Sequence, residues 1–552
     1  MKKSSGRSLL RLTLAGAAVV AVASTPLLGS AAGLANSPFA IKAVNAASPN
    51  IYSIKPFAKK GAADGASTAP APQPTDGATT GPTTPPSTEP TRAPDPTPDL
   101  FSMTLNSALP GCSIGGFNLA VAPNSGLDST PIPASGTISW GDGTSSSITT
   151  GDNVHRYTGT GTYKLGVTGK LAGMVKTTAR DCIQSIDHFG ENTGIVTMES
   201  LFQDAANIQS VASPPSSLIN ARNMFKNATK FNGDTSDWVL PNLQNASSMF
   251  EGATAFNGNL SNLNPKSLTT AASMFKSDTA FNSDISSWKT PKLTNVNSMF
   301  FGASKFNQDL SKWNVSAVTN FGTMLSNATA FVGGNLNAWD TSSATDMSSL
   351  FEGASAFTGG VGSWNTANVT NMGYMFSGAT KFDESLSSWD VSKVQLFSAM
   401  FSSTSFNSDI TGWNMGSATD LGAMFSKDAA FNQDISNWNV SNVTNFNAVF
   451  NGNSSFNQPV GKWDVSKGVG MTNMFNGATK FNQSLSNWAT KTGNVTAMNS
   501  MFAGTTAFKQ NISNWNVAKV TTAYRGFYYA SGLASNTALV PSKFVNSTGA
   551  SI

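Results

Sequence analysis

The sequence predicts a repeat solenoid of short parallel strands and short helical segments, preceded by a small all-β sandwich. Three observations predict it. A phrase that opens with Phe recurs about every 25 residues over more than half of the chain. Eleven of the twelve tryptophans stand at one phase of that phrase. Ahead of the repeats, short alternating apolar runs are separated by Gly, Ser and Asn. A fixed period indicates that each unit buries its apolar side against its neighbours.

Residues 1–34 have the layout of a secretory signal peptide. Basic residues precede an apolar run at 14–28, and this order is typical of export. Cleavage could follow Ala32 or Ala46, and the sequence does not choose between them. An uncleaved anchor is the alternative, although Ser, Thr and Pro interrupt the run. We expect a secreted or extracellular protein at the cell surface, with no membrane span in the mature chain.

Residues 35–99 are predicted to be a spacer. From Gly61 to Pro98 the chain is composed mainly of Ala, Pro, Thr, Ser and Gly, with few large apolar residues. Such a segment cannot bury enough surface to offset its ordering entropy, so it is expected to be extended. It would hold the folded part away from the N-terminus, or simply connect the two.

Residues 100–190 are predicted to form a small antiparallel β-sandwich. Alternating runs such as 117–121, 137–140 and 163–167 lie between turn residues, as in short strands of a sandwich. Cys112 and Cys182 are the chain's two cysteines and stand near the two ends of this unit. In an exported protein such a pair favours a disulfide, and two free thiols are the alternative.

One motif in this unit carries a family resemblance. Ser139-Trp140-Gly141-Asp142-Gly143-Thr144 is followed by His155-Arg156-Tyr157 and by Gly161-Thr162-Tyr163-Lys164-Leu165. The combination resembles the PKD family of immunoglobulin-like sandwich domains. The resemblance implies a spacer or contact module rather than a site of chemistry.

Residues 191–527 are predicted to be the solenoid, and the copy Phe431–Ser455 shows its unit most clearly. A spacing of 25 residues lies in the range of leucine-rich repeats and is too short for pairs of helices. Asp434–Trp438 is expected to be a strand between turns, because its centre is apolar and its flanks are Asn and Asp. Val443–Phe450 has apolar residues at a helical period, which predicts a short helical segment.

The repeated phrase also carries a resemblance. The copies follow F-N-x-D-[IL]-S-x-W-[ND]-V-S-x-V-T-N-[MF]-x-x-M-F-x-G-A from about Leu201 to Phe527. They resemble the repeats of BspA-like leucine-rich-repeat bacterial surface proteins. The resemblance implies a parallel-sheet solenoid, a role in surface adhesion or protein contact, and no catalytic residues. Residues 528–552 lose the repeat phrase and are expected to be a C-terminal cap and tail.

Composition excludes several functions. Charged residues make up 12% of the chain, and a net charge of +4 is spread thinly, so nucleic acid is not an expected partner. His155 and His188 are the chain's two histidines, and both precede the repeats. A histidine triad or multi-histidine metal site in the solenoid is therefore excluded, and we expect neither an enzyme nor a cofactor. His155 is expected to be a hydrogen-bonding residue of the sandwich.

Two polar columns of the repeat need an interpretation. Carboxylates recur three residues after the Phe, at Asp234, Asp284, Asp309, Asp409 and Asp434. Other copies have Asn, Ser, Gly or Pro there, which favours turn caps over a catalytic pair or over calcium held between neighbouring copies. The Asn after the Phe, at Asn407, Asn432, Asn457 and Asn482, is expected to form an amide ladder.

The tryptophans leave two functions open. Rings at one phase of the repeat are first expected to be core. The alternative is an exposed platform for sugars or partner side chains, at Trp313, Trp339, Trp364, Trp389, Trp413, Trp438 and Trp463. The sequence thus favours a non-enzymatic, adhesin-type protein that binds an extracellular host or matrix protein. A carbohydrate-binding protein that recognises a surface glycan is the alternative.

Overall fold

The computed structural model describes residues 101–113, 115–121, 134–171, 173–175, 177–190, 195–521 and 526–545. All of them belong to one compact unit, Pro90–Ile552. The predicted signal peptide and spacer lie outside the described residues, as does the end of the predicted tail from residue 546.

In the part of the chain that the structure describes, nine strands form two sheets, one of six strands and one of three. The larger sheet has the order β4-β3-β6-β1-β8-β9 and the smaller one β5-β2-β7. Alternate residues of β1, namely Phe101, Met103 and Leu105, are fully buried, as expected for strands with one face on a core. The strands are β1 Phe101–Asn106, β2 Phe117–Val121, β3 Ser135–Ser139, β4 Ser145–Ser147, β5 Gly151–His155, β6 Thr162–Lys170, β7 Met174–Val175, β8 Ile183–His188 and β9 Ser210–Val211.

The turn after β3 is held by its aspartate. The amide of Thr144 donates to Asp142 Oδ1 over 3.0 Å, and Gly141 has a φ of 80°, which favours glycine. The other carboxylate oxygen lies 2.7 Å from His155 Nε2. The imidazole of His155 stacks on Trp140 with ring centroids 4.7 Å apart. His155 is therefore a hydrogen-bonding residue of this unit, which confirms its expected role.

The repeats stack in parallel. We call each stacked copy of the repeat a coil. Isolated parallel bridges join successive coils in one column, from the pair Gly173–Thr197 to the pair Gly470–Ala497, with one bridge residue per coil. In the copy Phe431–Ser455, which we call the central copy, the bridge residue is Asn445. It pairs with Asp420 on one side and with Gly470 on the other. Repetition with parallel stacking is thus present, as the sequence predicts.

The predicted strand within each coil is wrong. Asp434–Trp438 is a turn, in which the amide of Ser436 donates to Asp434 Oδ1 over 3.0 Å and the amide of Trp438 donates to Ile435 O over 3.1 Å. An aspartate that binds a nearby amide offers the backbone an alternative to a ladder. In two copies the residues before the Trp form a 3₁₀ turn, at Leu336–Ala338 and Val460–Lys462. In a third, Ser486–Trp488, the 3₁₀ turn includes the Trp itself.

The predicted helical segment is also wrong. In Val443–Phe450 alternate amides donate to the next coil: Phe446 to Gly470 O, Ala448 to Thr472 O and Phe450 to Met474 O, over 2.8 to 2.9 Å. Ala448 has a φ of 57°, which a right-handed helix does not allow. The apolar spacing therefore arises from overlapping turns, not from helical rise.

The interior of the stack consists of ladders of rings. The ring of Phe450 lies 3.8 Å from that of Phe456, the residue that opens the following copy, and 5.5 Å from the ring of Phe475 in the same following copy. Trp438 and Trp463 stack at 6.4 Å. These residues belong to one continuous core that also includes β1 and β2.

Both ends of the stack are covered within the described residues. At the start, β9 of the first repeats pairs in parallel with β8, and Asn207 Nδ2 donates to Pro110 O and Asp181 O, over 2.7 and 2.8 Å. These acceptors flank the two cysteines, which form the predicted disulfide Cys112–Cys182. At the other end, two 3₁₀ turns and a four-residue helix cover the last coil, at Gly532–Ser535, Thr537–Leu539 and α1 Ser542–Val545.

Candidate binding surface

The outer corners of each coil are built by Asn and Asp. In the central copy Asp434, Asn439 and Asn445 each accept from the amide two residues later, over 3.0 to 3.2 Å. The amide of Ser436 lowers the pKa of Asp434. The predicted role of the Asp column as turn caps is confirmed, because these carboxylates are held in their own turns. Among the described residues no group of three or more His, Cys, Asp or Glu could hold a metal ion.

The Asn column forms the expected amide ladder. The amides of Asn432, Asn457 and Asn482 each donate to the side-chain oxygen of the preceding Asn, over 2.8 to 2.9 Å. Gln433 adds to it by donating from Nε2 to Asn407 O over 2.6 Å. This surface is therefore neutral, polar and hydrogen-bonded from coil to coil.

The alternative prediction of an exposed tryptophan platform is wrong. The seven tryptophans proposed for it are between 1% and 4% exposed. Their indole N–H groups donate to main-chain carbonyls of the preceding coil, as Trp389 does to Val361 O over 3.1 Å. A buried indole needs such a partner, and the regular carbonyl column supplies it. The tryptophan faces therefore lie in the core and offer no platform for a sugar.

The pattern of the coils breaks between Phe331 and Asp390. The copy that begins at Phe331 has 26 residues, and Val332 and Thr358 replace Asn in the ladder. Gly333 and Gly359 form a parallel bridge. A Cβ on Gly360 would lie 2.0 Å from Gly334 O, so this close approach of two backbones requires glycine.

A surface groove of about 530 Å³ lies in this region, a volume within the range of ligand sites. We call it the Gly362 groove, because Gly362 stands where most copies have Ser or Thr. A Cβ there would lie 2.9 Å from Ser385 O and 3.0 Å from Glu384 Oε1. Its lining residues are Asn337, Gly362, Ser363, Trp364, Asn365, Thr366, Glu384, Ser388 and Asp390.

Glu384 is the most unusual residue of the groove. Its Oε2 accepts from the amides of Gly360 and Val361, over 2.7 and 2.8 Å. The same position carries Gln in other copies, where Gln433 and its equivalents donate to a carbonyl. The exchange replaces a neutral donor by a charged acceptor. Two N–H groups hold the carboxylate in place, and its Oε1 lies beside Gly362.

Asp390 supplies the second carboxylate. Its Oδ1 accepts from the amide of Ser392 over 2.9 Å. The hydroxyl of Ser392 is the main cause that lowers the pKa of Asp390, and Lys393 contributes to the same effect. The ammonium of Lys393 itself donates to Asn368 Oδ1 over 2.8 Å. The groove is thus lined by an exposed, ionised Asp390 as well as by Glu384.

Sequence reasoning missed this groove because it treated the repeats as uniform. Three departures coincide there: the 26-residue copy, Gly362 in a column mostly of Ser and Thr, and Glu384 in a column rich in Gln. Departures from a repeat pattern, rather than the pattern itself, locate the unusual surface.

The stacked coils define a tandem-repeat protein. The chain belongs to the family described as Mycoplasma protein of unknown function, DUF285, which it matches in five overlapping segments: 170–277, 259–342, 331–437, 403–492 and 470–547. Comparison with curated proteins and with solved structures finds no match. Within the described residues, no helix has the length and apolar character needed to cross a membrane.

Proposed function

We propose that the chain is a secreted or surface-displayed, non-enzymatic binding protein of the BspA-like leucine-rich-repeat type. In this proposal a PKD-like immunoglobulin sandwich precedes a solenoid whose outer surface contacts an extracellular host or matrix protein. Extended surfaces of stacked repeats are commonly used for such contacts.

The repeated polar surface is the observation that supports this function. The corner carboxylates are engaged in turns, and the Asn column is engaged in its ladder. The side chains of these two columns are therefore used for structure, while the same surface recurs along most of the stack. A partner would gain affinity from many small contacts rather than from one anchor alone.

The experiment removes one central coil, Phe431–Ser455, from the full chain. Phe456 then follows Ala430, so the register of the remaining coils is kept. The variant is compared with the native chain by circular dichroism and by titration against a ligand identified in a panel of matrix proteins. We expect a soluble, folded variant whose affinity falls less than about tenfold, since the other coils keep their contacts.

Complete loss of binding by that folded variant would contradict distributed contact. A glycan array run beside the protein panel tests the carbohydrate alternative. We do not propose this alternative, because the tryptophans on which it depended are buried.

A further inference from the structure

We propose that the Gly362 groove is a binding site for a cationic hydrogen-bond donor, a guanidinium group carried by an arginine side chain of a protein partner. The inference rests on the proposed function and deepens it, because it names one anchoring contact within an otherwise distributed surface.

Most side-chain donors that line the groove already have hydrogen-bond partners. Ser363 Oγ donates to Asn337, Thr366 Oγ1 donates to Asp390 O, and Ser388 Oγ donates to Gly362 O. The indole of Trp364 donates to Leu336 O. These hydroxyl and indole protons are therefore already used, and the amide groups of Asn337 and Asn365 are the remaining side-chain donors.

The two carboxylates that line the groove, by contrast, can each accept further hydrogen bonds. Glu384 binds the two amides through Oε2, and Asp390 binds its turn amide through Oδ1. An ionised carboxylate has more acceptor sites than these bonds occupy, even with the Ser392 hydroxyl beside Asp390. A ligand that brings donors and a positive charge suits these acceptors, because none of the nine lining residues is basic and the ammonium of the nearby Lys393 is bonded to Asn368.

Guanidinium is favoured over ammonium by geometry. It presents five N–H donors in a plane and pairs with carboxylates through two parallel bonds. Arginine is also among the residues that dominate binding energy at protein interfaces. The groove is an open surface site that a protruding side chain could enter, and its volume exceeds what the side chain needs.

The test uses N-acetyl-arginine amide as the probe and N-acetyl-citrulline amide as its neutral match. Both are titrated into the full chain by ligand-observed NMR at low and high salt. We expect the arginine probe to bind at least tenfold more tightly than the citrulline probe. Salt should weaken its binding, because part of the attraction is between charges at a surface.

The variants are Glu384→Gln and Asp390→Asn, alone and together. Both changes keep side-chain size, and each introduces a residue that other coils have at the same place, so folding is expected to be retained and is checked by circular dichroism. Each should weaken arginine binding at least threefold. Asp464→Asn is the matched control, since Asp464 caps the equivalent turn three coils away, and it should change nothing.

Equal binding of the two probes, or unchanged arginine binding in the double variant, would overturn the inference. Binding of the protein panel is measured separately on the same variants. If the panel ligand still binds while the arginine probe does not, only the groove assignment fails. If no panel protein binds the native chain, the proposed function fails, whatever the probe does.

Discussion

Replacing Asp278 by alanine is expected to stabilise the protein at neutral pH. Asp278 is fully buried in a column where Ala253 and Ala303 occupy the neighbouring coils. Neither of its carboxylate oxygens makes a hydrogen bond. Burial raises its pKa to about 9, although the nearby amides of Ala280 and Phe281 act in the opposite direction.

The direction and the size of the stabilisation expected for Asp278→Ala follow from proton linkage. The folded state keeps the proton up to about pH 9, whereas the unfolded chain releases it above 3.8. The contribution of Asp278 to stability is therefore fully present below pH 3.8 and is lost progressively as pH rises towards 9. At pH 7 the loss is about 4 kcal/mol as an upper limit, at ~1.4 kcal/mol per pH unit. Asp278→Ala should recover roughly 2 to 4 kcal/mol of it.

Chemical denaturation between pH 5 and 8 measures the effect, together with native-state hydrogen exchange over Phe250–Phe306, because long repeat arrays need not unfold in one step. Asp237→Ala, at an exposed aspartate, is the control and should change stability by less than about 0.5 kcal/mol. A difference between Asp278→Ala and the native chain that does not grow with pH would refute the reasoning.

Three further predictions concern the core and the ends of the stack. Trp389→Ala should destabilise by roughly 3 to 5 kcal/mol, since it removes a buried ring and leaves Val361 O unpaired; denaturation beside the exposed control Asn437→Ala checks this, and equal midpoints would contradict it. Replacing both Cys112 and Cys182 by Ala should cost about 4 kcal/mol, as the disulfide closes a separation of 70 residues; an unchanged melting temperature would argue against it. Removing the residues from Phe527 onward should expose the last layer, including Phe502 and Trp515, and cause aggregation. Light scattering measures this aggregation, and a monomeric truncated chain would show that the last coil needs no cover.

The period of the sequence predicted the stacking and the core correctly, because burial of one apolar side by neighbouring copies requires only that the copies repeat. It did not predict local structure. Asp434 caps a turn as expected, but the strand predicted for Asp434–Trp438 is itself that turn. Val443–Phe450 has a helical spacing, yet the positive φ of Ala448 prevents a helix. Both errors arise where side-chain capping and contact with the next coil override local preference.

The candidate site was less predictable still. Trp364 was expected either in the core or on a platform, and its column proved to be core. Glu384 was not considered, because its importance depends on contact with the amides of Gly360 and Val361 of the preceding coil. Such contacts between copies become visible only once the stacking is known.

The alternate amides that join successive coils also determine how the protein would carry mechanical load. Bonds such as that from Ala448 to Thr472 run from one coil to the next, so a pull along the stack acts along them rather than across them. We expect coils loaded in this way to separate one after another, because each contacts mainly its neighbours. Each detached copy of 25 residues releases about 80 Å of chain, at ~3.3 Å per residue, and removes only ~5 Å of stack. Under tension the array would lengthen in steps and dissipate energy at each step. The peak force on a partner bound at one end of the stack would therefore be lower.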